Sequence, residues 1–426
     1  MADQDQAQLK RVLTLREVVL SGIGVILGAG IYALIGEAAG LAGNAIWMAF
    51  LLTAAIAAFT GLSYAELSSM FPIASAEYEY TSRAFGQQLA FLVGILVILS
   101  GIVGAATVSL GFAGYFAGIT GIPMMPTAIL LLFLLSVIIF TGIKQSAAFI
   151  ITFTLIEAGG LIGIIAIGFP YLGSVDYLEM PLGIAGVLQA SALIFFAYQG
   201  FEEIVKLSDE TIEPERIVPT GLLLALATTI VLYVLVALAA VSVAGWQALA
   251  GSSAPFAVVA EKALGPEAFL AFTLIALFAT ANTALLMLLS SSRIMFGMAR
   301  SRSLPQAIGY VHPGTSTPLV AIVVAFVASV LFLSLGNIRD VALVANFTLF
   351  VTFAVINAAV IFLRFQLPGR NRPFRIPGSI CRVPLLPVLG VITCLFFLFQ
   401  MDVKILLIGA LIIILASSAG FVLRRI

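Results

Sequence analysis

The run Phe153-Thr-Leu-Ile-Glu157-Ala-Gly-Gly160 places one carboxylate in the middle of an apolar stretch. An ionisable side chain in such a setting is costly, and that cost marks it for function. Burial disfavours the charged form, so Glu157 could be neutral at one stage of a cycle and ionised at another. A group that takes up and releases a proton behaves in this way. The residue alone leaves two alternatives open. One is a structural carboxyl capped by neighbouring backbone or hydroxyls; the other is a ligand for sodium or for a cationic substrate.

Two further runs can expose backbone. Gly22, Gly24, Gly28, Gly30 and Gly36 fall within 15 residues, around Gly28-Ala-Gly-Ile-Tyr32. Glycine tolerates unwound backbone. An unwound point leaves free N–H groups at the start of the next half-helix, where the dipole favours an anion such as a carboxylate. Plain helix packing explains the same glycines, because Gly24/Gly28 and Gly36/Gly40 are GxxxG pairs. The other run is Phe195-Phe-Ala-Tyr-Gln-Gly200-Phe-Glu202. Its carbonyls could accept from an ammonium, and Phe196 could close over a substrate, although aromatics at such spacing also simply pack.

The elements that carry these runs are membrane helices. The chain has 426 residues, of which 62% are hydrophobic and 9% charged, with a mean hydropathy of +1.18. Soluble domains carry about 25% charged residues, so composition excludes a soluble enzyme, a nucleic-acid binder and a disordered scaffold. Twenty basic against twenty acidic residues leave no net charge to attract a polyanion. Two cysteines, Cys381 and Cys394, and a single histidine, His312, make a disulfide framework or a zinc cluster improbable. The polar stretch 1–16, followed by a long apolar run without a small-residue cleavage site, argues against a signal peptide. No Walker-type Gly-x-x-x-x-Gly-Lys run occurs.

A span needs about 20 apolar residues. Twelve runs qualify, near 17–40, 44–70, 88–118, 126–143, 147–170, 184–206, 218–245, 267–298, 318–335, 339–364, 384–401 and 404–423. With the N-terminus inside, 17 of the 20 Lys and Arg face the cytoplasm, and only Lys262, Arg339 and Lys404 face out. Both termini are therefore expected in the cytoplasm and the protein in the cell membrane. Breaks in the first and sixth spans suggest a transporter site at mid-membrane. The expected fold is all-α: twelve transmembrane helices in one domain over 1–426. A first repeat of about 17–170 and an inverted second repeat of about 184–364 make a 5+5 core, with extra helices at about 384–423.

The chain resembles the amino acid–polyamine–organocation permease superfamily. The likeness rests on a set of stretches spread over nearly the whole chain in family order. They are Gly24-Val-Ile-Leu-Gly-Ala-Gly-Ile-Tyr-Ala-Leu-Ile-Gly36, Tyr64-Ala-Glu-Leu67 with Phe71-Pro72, and Tyr198-Gln-Gly-Phe-Glu202. Glu213-Pro-Glu-Arg-Ile-Val-Pro219, Ser292-Arg293, Met298-Ala-Arg300, Leu304-Pro305 and Arg372-Pro-Phe-Arg-Ile-Pro377 complete it. The resemblance implies alternating access for amino acids or related amines. It also implies that backbone at Ile26, Ala29, Gly30 and Ile31 holds the substrate carboxylate. Backbone at Phe195, Phe196 and Tyr198, with Gly200 at the break, would hold the amino group. Ala29 stands where many relatives have Ser, which removes one side-chain hydrogen bond. Several relatives carry Lys at the place of Glu157, where its ammonium substitutes for sodium; a carboxylate cannot do so.

These readings converge on a secondary transporter, not an enzyme. It is expected to use no cofactor, no metal site and no nucleic acid, and to work in the bilayer as a monomer or weak oligomer. Glu157 points to proton coupling, with sodium coupling and exchange as alternatives. The small apolar residues Gly101, Ile102, Gly104, Ala105 and Ala106 in span 3 favour neutral amino acids over cationic ones. Glu66 is expected to pair with an inner-surface Arg, Glu37 to be interfacial, and His312 to be structural. Thr280, Asn282, Thr283, Asn346 and Asn357 could bind an ion or merely join helices.

Overall fold

The computed structural model describes residues 11–73, 75–141, 147–380 and 382–423. Lys10, Lys144, Cys381, Arg424 and Arg425 lie outside the described residues. The helices are α1 (Leu15–Ile26), α2 (Gly30–Ala42), α3 (Ile46–Met70), α4 (Ala76–Phe85), α5 (Gln87–Thr120), α6 (Met124–Phe140), α7 (Ala147–Gly168) and α8 (Gly183–Tyr198). They continue with α9 (Pro214–Ala244), α10 (Trp246–Ala250), α11 (Pro255–Leu264), α12 (Pro266–Arg300), α13 (Leu319–Leu333), α14 (Ile338–Gln366), α15 (Leu385–Phe399) and α16 (Val403–Leu423). One short antiparallel pair, β1 (Ser379–Ile380) and β2 (Val383–Pro384), precedes α15.

Helices are the expected solution, because hydrocarbon offers no partner for open backbone groups. Among the described residues, eight helical runs are long and apolar enough to cross a membrane, and three shorter apolar helices accompany them. The first of these runs joins α2 and α3 as Gly30–Met70. The outer helices turn large apolar side chains outward: Leu130, Phe133 and Leu134 on α6, and Leu407, Leu411 and Ile414 on α16 are exposed. In water this surface would aggregate; against lipid tails it costs nothing.

Two spans are interrupted where the glycine-bearing runs predicted. Between α1 and α2, residues 27–29 leave the helix. After α8 the chain breaks at Gln199-Gly200 and resumes as a 3-10 segment, Phe201–Glu210. The two interruptions meet at the centre, because α2 packs along α8 and α1 packs against both α9 and the Phe201–Glu210 segment. The long helices α3, α5, α9, α12 and α14 surround this crossing.

At one end the core is pinned by a buried ion pair. Glu66 on α3 receives two hydrogen bonds from Arg364 on α14, Nε to Oε1 at 2.9 Å and Nη2 to Oε2 at 2.5 Å. The Ile376 backbone N–H donates to the same carboxylate at 2.9 Å, and Arg372 Nε lies 3.3 Å from it. The expected partnership of Glu66 with an Arg is present, and it also holds the Arg372–Pro377 loop. Breaking a buried pair from one side strands the other charge, at a cost of about 3–5 kcal/mol. Arg364→Met is therefore expected to lower the melting midpoint in detergent sharply. The double change Glu66→Leu with Arg364→Met is expected to recover part of that loss.

Candidate substrate site

The crossing of the two breaks depends on two glycines. A Cβ at Gly30 would sit 2.7 Å from Ala197 Cα and 3.2 Å from the Phe196 carbonyl oxygen. Gly200 has φ +120°, and a Cβ there would meet the Val25 carbonyl oxygen at 2.8 Å. Any side chain at either position pushes the broken helices apart.

The backbone freed by the breaks is tied by neighbours. Tyr233 on α9 places its hydroxyl 2.7 Å from the Ile26 carbonyl oxygen and 3.0 Å from that of Ala197. One hydroxyl proton serves one of these carbonyls at a time, so Tyr233 bridges the two breaks. The Ala29 N–H donates to Thr283 Oγ1 on α12 at 2.9 Å. The Gly200 N–H donates to Glu202 Oε2 at 2.9 Å. These bonds satisfy groups that a continuous helix would have satisfied itself.

A cavity of about 440 Å³ lies beside the crossing, on the side of α1 and the Phe201–Glu210 segment. Its walls come from both breaks and from α3, α4, α5, α7, α12 and α14, and it reaches as far as Glu77 and the exposed Arg293. Three buried polar atoms on this wall have no hydrogen-bond partner among the described residues: Glu157 Oε1, Gln199 Oε1 and Thr352 Oγ1. Glu157 is only 1% exposed. Unpaired buried polar atoms are rare and costly, and three of them share this one cavity wall. At the mouth, burial pushes the Glu77 carboxyl of α4 above its ordinary range, and the nearby Lys206 ammonium opposes that rise.

The other end is closed. Asn44 Nδ2 donates to Glu179 Oε2 at 2.7 Å, Trp246 Nε1 donates to Glu179 Oε1 at 2.8 Å, and the Trp246 N–H donates to Asn44 Oδ1 at 3.1 Å. These contacts fasten α10 over the end of α2. The cavity does not reach these residues.

Of the sequence-predicted residues, Gly200 and Glu157 line the cavity. Ile26, Ala29, Gly30, Ile31, Phe195, Phe196 and Tyr198 lie buried at the crossing and are not on its wall. The contact of Gly30 with residues 196–197 occupies the space between them. Phe195 packs its ring against Phe350, tilted by 37° with centroids 4.4 Å apart, and Tyr198 donates to the Phe50 carbonyl at 3.2 Å, so both side chains are used for packing. The Phe196 ring faces Gly104 of α5.

The secondary candidates sort by the same test. Asn282 and Thr283 line the cavity. Thr280 donates back to Ala276 of its own helix at 2.7 Å. Asn346 donates to the Ala192 and Leu193 carbonyls, and Asn357 joins Ser63 and Thr60, so both fasten helices together. Glu37 is exposed, and His312 sits in a loop beside Phe140. Sequence reasoning missed Tyr233 and Thr352. Tyr233 left a signal, a lone phenol in the apolar run Thr229-Ile-Val-Leu-Tyr-Val-Leu235, because a buried hydroxyl needs a partner.

Residues 13–416 match the amino acid permease family. The chain belongs to that family. It is a multi-pass membrane transporter and not an enzyme. The chain is 30% identical to a branched-chain amino acid permease of Bacillus subtilis, across 94% of this chain and 90% of that protein. It is also 30% identical to a methylthioribose transporter of the same organism, with the same coverage. A vacuolar cationic amino acid transporter of Arabidopsis thaliana is 28% identical across 85% of this chain and 64% of that protein.

The bridging role of Tyr233 is open to a direct check in this permease. Tyr233→Phe removes the donor and leaves buried carbonyls short of a partner, at about 1–3 kcal/mol. A lowered melting midpoint and weakened amino acid binding are the expected outcome. A variant that matches wild type in both would remove the bridge from the account.

Proposed function

We propose that this permease takes up neutral amino acids across the cell membrane by alternating access, driven by a proton that Glu157 carries. Both termini are cytoplasmic in this reading. Twelve spans form a 5+5 inverted repeat with two added helices, and the cavity is the cytoplasm-facing vestibule of an inward-open state.

The observation that carries the proposal is Glu157. Its carboxyl is buried on the wall of the cavity, next to the breaks, with Oε1 unpartnered among the described residues. An ionised carboxylate left in this way is costly; a bound proton or a cationic group removes the cost. Substrate binding at the breaks and proton binding at Glu157 would then be linked through α1, whose last turn, including Gly24 and Val25, shares the wall. The substrate carboxylate would bind the amides that begin α2, and the ammonium the carbonyls that end α8. Binding there requires the Gly30 contact to open.

Neutral side chains are favoured by the apolar part of the wall, which includes Val97, Leu286, Met287, Leu349 and Phe353. The name of the Bacillus branched-chain permease agrees with that preference. One observation favours a second reading: two of the orphaned atoms, Glu157 Oε1 and Gln199 Oε1, are acceptors. A cationic side chain would satisfy both, and the Arabidopsis relative is named for such substrates.

Uptake by wild type and Glu157→Gln in proteoliposomes separates these readings. The proton reading predicts that the variant loses gradient-driven accumulation and the pH dependence of uptake, while exchange of labelled for unlabelled leucine continues. Unchanged pH dependence in the variant contradicts it. Preferential uptake of lysine or arginine by wild type would replace neutral with cationic substrates.

A further inference from the structure

The closed end carries a second set of contacts, separate from the cavity. The first turn of α11 sits over α2, where the rings of Phe256 and Tyr32 meet edge to face at 5.1 Å. The Phe256 N–H donates to Tyr115 Oη on α5 at 3.4 Å. The Tyr115 hydroxyl donates in turn to the Tyr32 carbonyl at 3.1 Å. The Tyr32 hydroxyl donates to the backbone carbonyl of Glu157 at 2.7 Å. Glycine at position 160, one turn beyond Glu157 on α7, makes this last contact possible, because a Cβ there would collide with the Tyr32 hydroxyl.

Three hydrogen bonds thus link α11 to α5, α5 to α2 and α2 to α7 at Glu157, the last two joined through the covalent frame of Tyr32. Packing alone does not require this chemistry. Phenylalanine would fill positions 32 and 115 with nearly the same volume and no hydroxyl to satisfy. Both tyrosines are completely buried, where a hydroxyl is tolerated only with a partner. Each hydroxyl is used to bind a different helix.

We infer that Tyr32 and Tyr115 are positioning residues that tie the closed lid, α10 and α11, to the helix bearing Glu157. The tie holds the lid shut in the state described here, and a shift of α7 at Glu157 releases it through Tyr32. The holding role stands on the contacts themselves, whereas the release step rests on the proton-coupled reading. Loss of either hydroxyl shifts the population toward the lid-open state. A larger fraction of open-lid protein raises apparent affinity for substrate arriving from that side.

The molecule carries its own reporter. Its two tryptophans, Trp47 and Trp246, both lie at the lid end. Trp47→Phe leaves Trp246 of α10 as the single fluorophore. Acrylamide quenching of the reconstituted full chain is then compared in Tyr32→Phe, Tyr115→Phe and the parent. The tie predicts a rise in quenching on the order of twofold and a lower KM from the lid side, with the shift set by the change in population. Gly160→Ala pushes on the Tyr32 hydroxyl from α7 without touching the lid, and the same rise is expected. Unchanged quenching and KM in the variants overturn the inference, and so does a rise in Tyr115→Phe alone. Glu157→Gln in the same background keeps the two proposals apart. If it retains wild-type pH dependence while Tyr32→Phe still opens the lid, the proton reading falls and the tie stands. The reverse pattern removes the tie and leaves the proton reading intact.

Discussion

The close crossing of two broken helices is the constraint on which the rest of the structure depends. Backbone polar groups in hydrocarbon must find partners, so a break can exist only where other groups satisfy it. Gly30 and Gly200 let the breaks touch, and Tyr233, Thr283 and Glu202 supply bonds that a continuous helix would have made internally. The surrounding helices α3, α5, α9, α12 and α14 hold these partners in place. The cavity lies beside the point where the two breaks touch, and Gly28, Gln199 and Gly200 from the breaks form part of its wall.

A second consequence is the unequal treatment of charge. Glu66 is buried but fully engaged, by Arg364, Arg372 and the Ile376 N–H. Glu157 is equally buried and lacks a partner at Oε1 among the described residues. Both sit in apolar surroundings, and only one is provided for. A satisfied carboxylate fixes structure; an unsatisfied one stores a tendency to change its protonation or its neighbour. That contrast places Glu66 in the scaffold and is what supports the role proposed for Glu157.

Much of this was readable in the sequence, for physical reasons. Glycine clusters and lone carboxylates stand out in apolar runs because hydrocarbon makes them expensive. The breaks near Gly28-Ala-Gly30 and Gln199-Gly200 and the burial of Glu157 were therefore visible before the fold. Side-chain direction was not visible. Thr352 and Tyr233 face the site only through the rotation of α14 and α9, which packing decides. The lid helices α10 and α11 fall between the apolar runs at 218–245 and 267–298, and each is too short to show a periodic pattern. The residues carried over from the family lie at the crossing, but most of them are not on the cavity wall. Their accessibility depends on a movement of the half-helices that composition does not record.

The central claim is that amino acid binding and the protonation of Glu157 are one linked event. Calorimetry of leucine binding to the purified protein, in two buffers of different ionisation heat, counts the protons taken up on binding. The account predicts net proton uptake in wild type and none in Glu157→Gln. An equal proton count in the two proteins, or none in wild type, would contradict it.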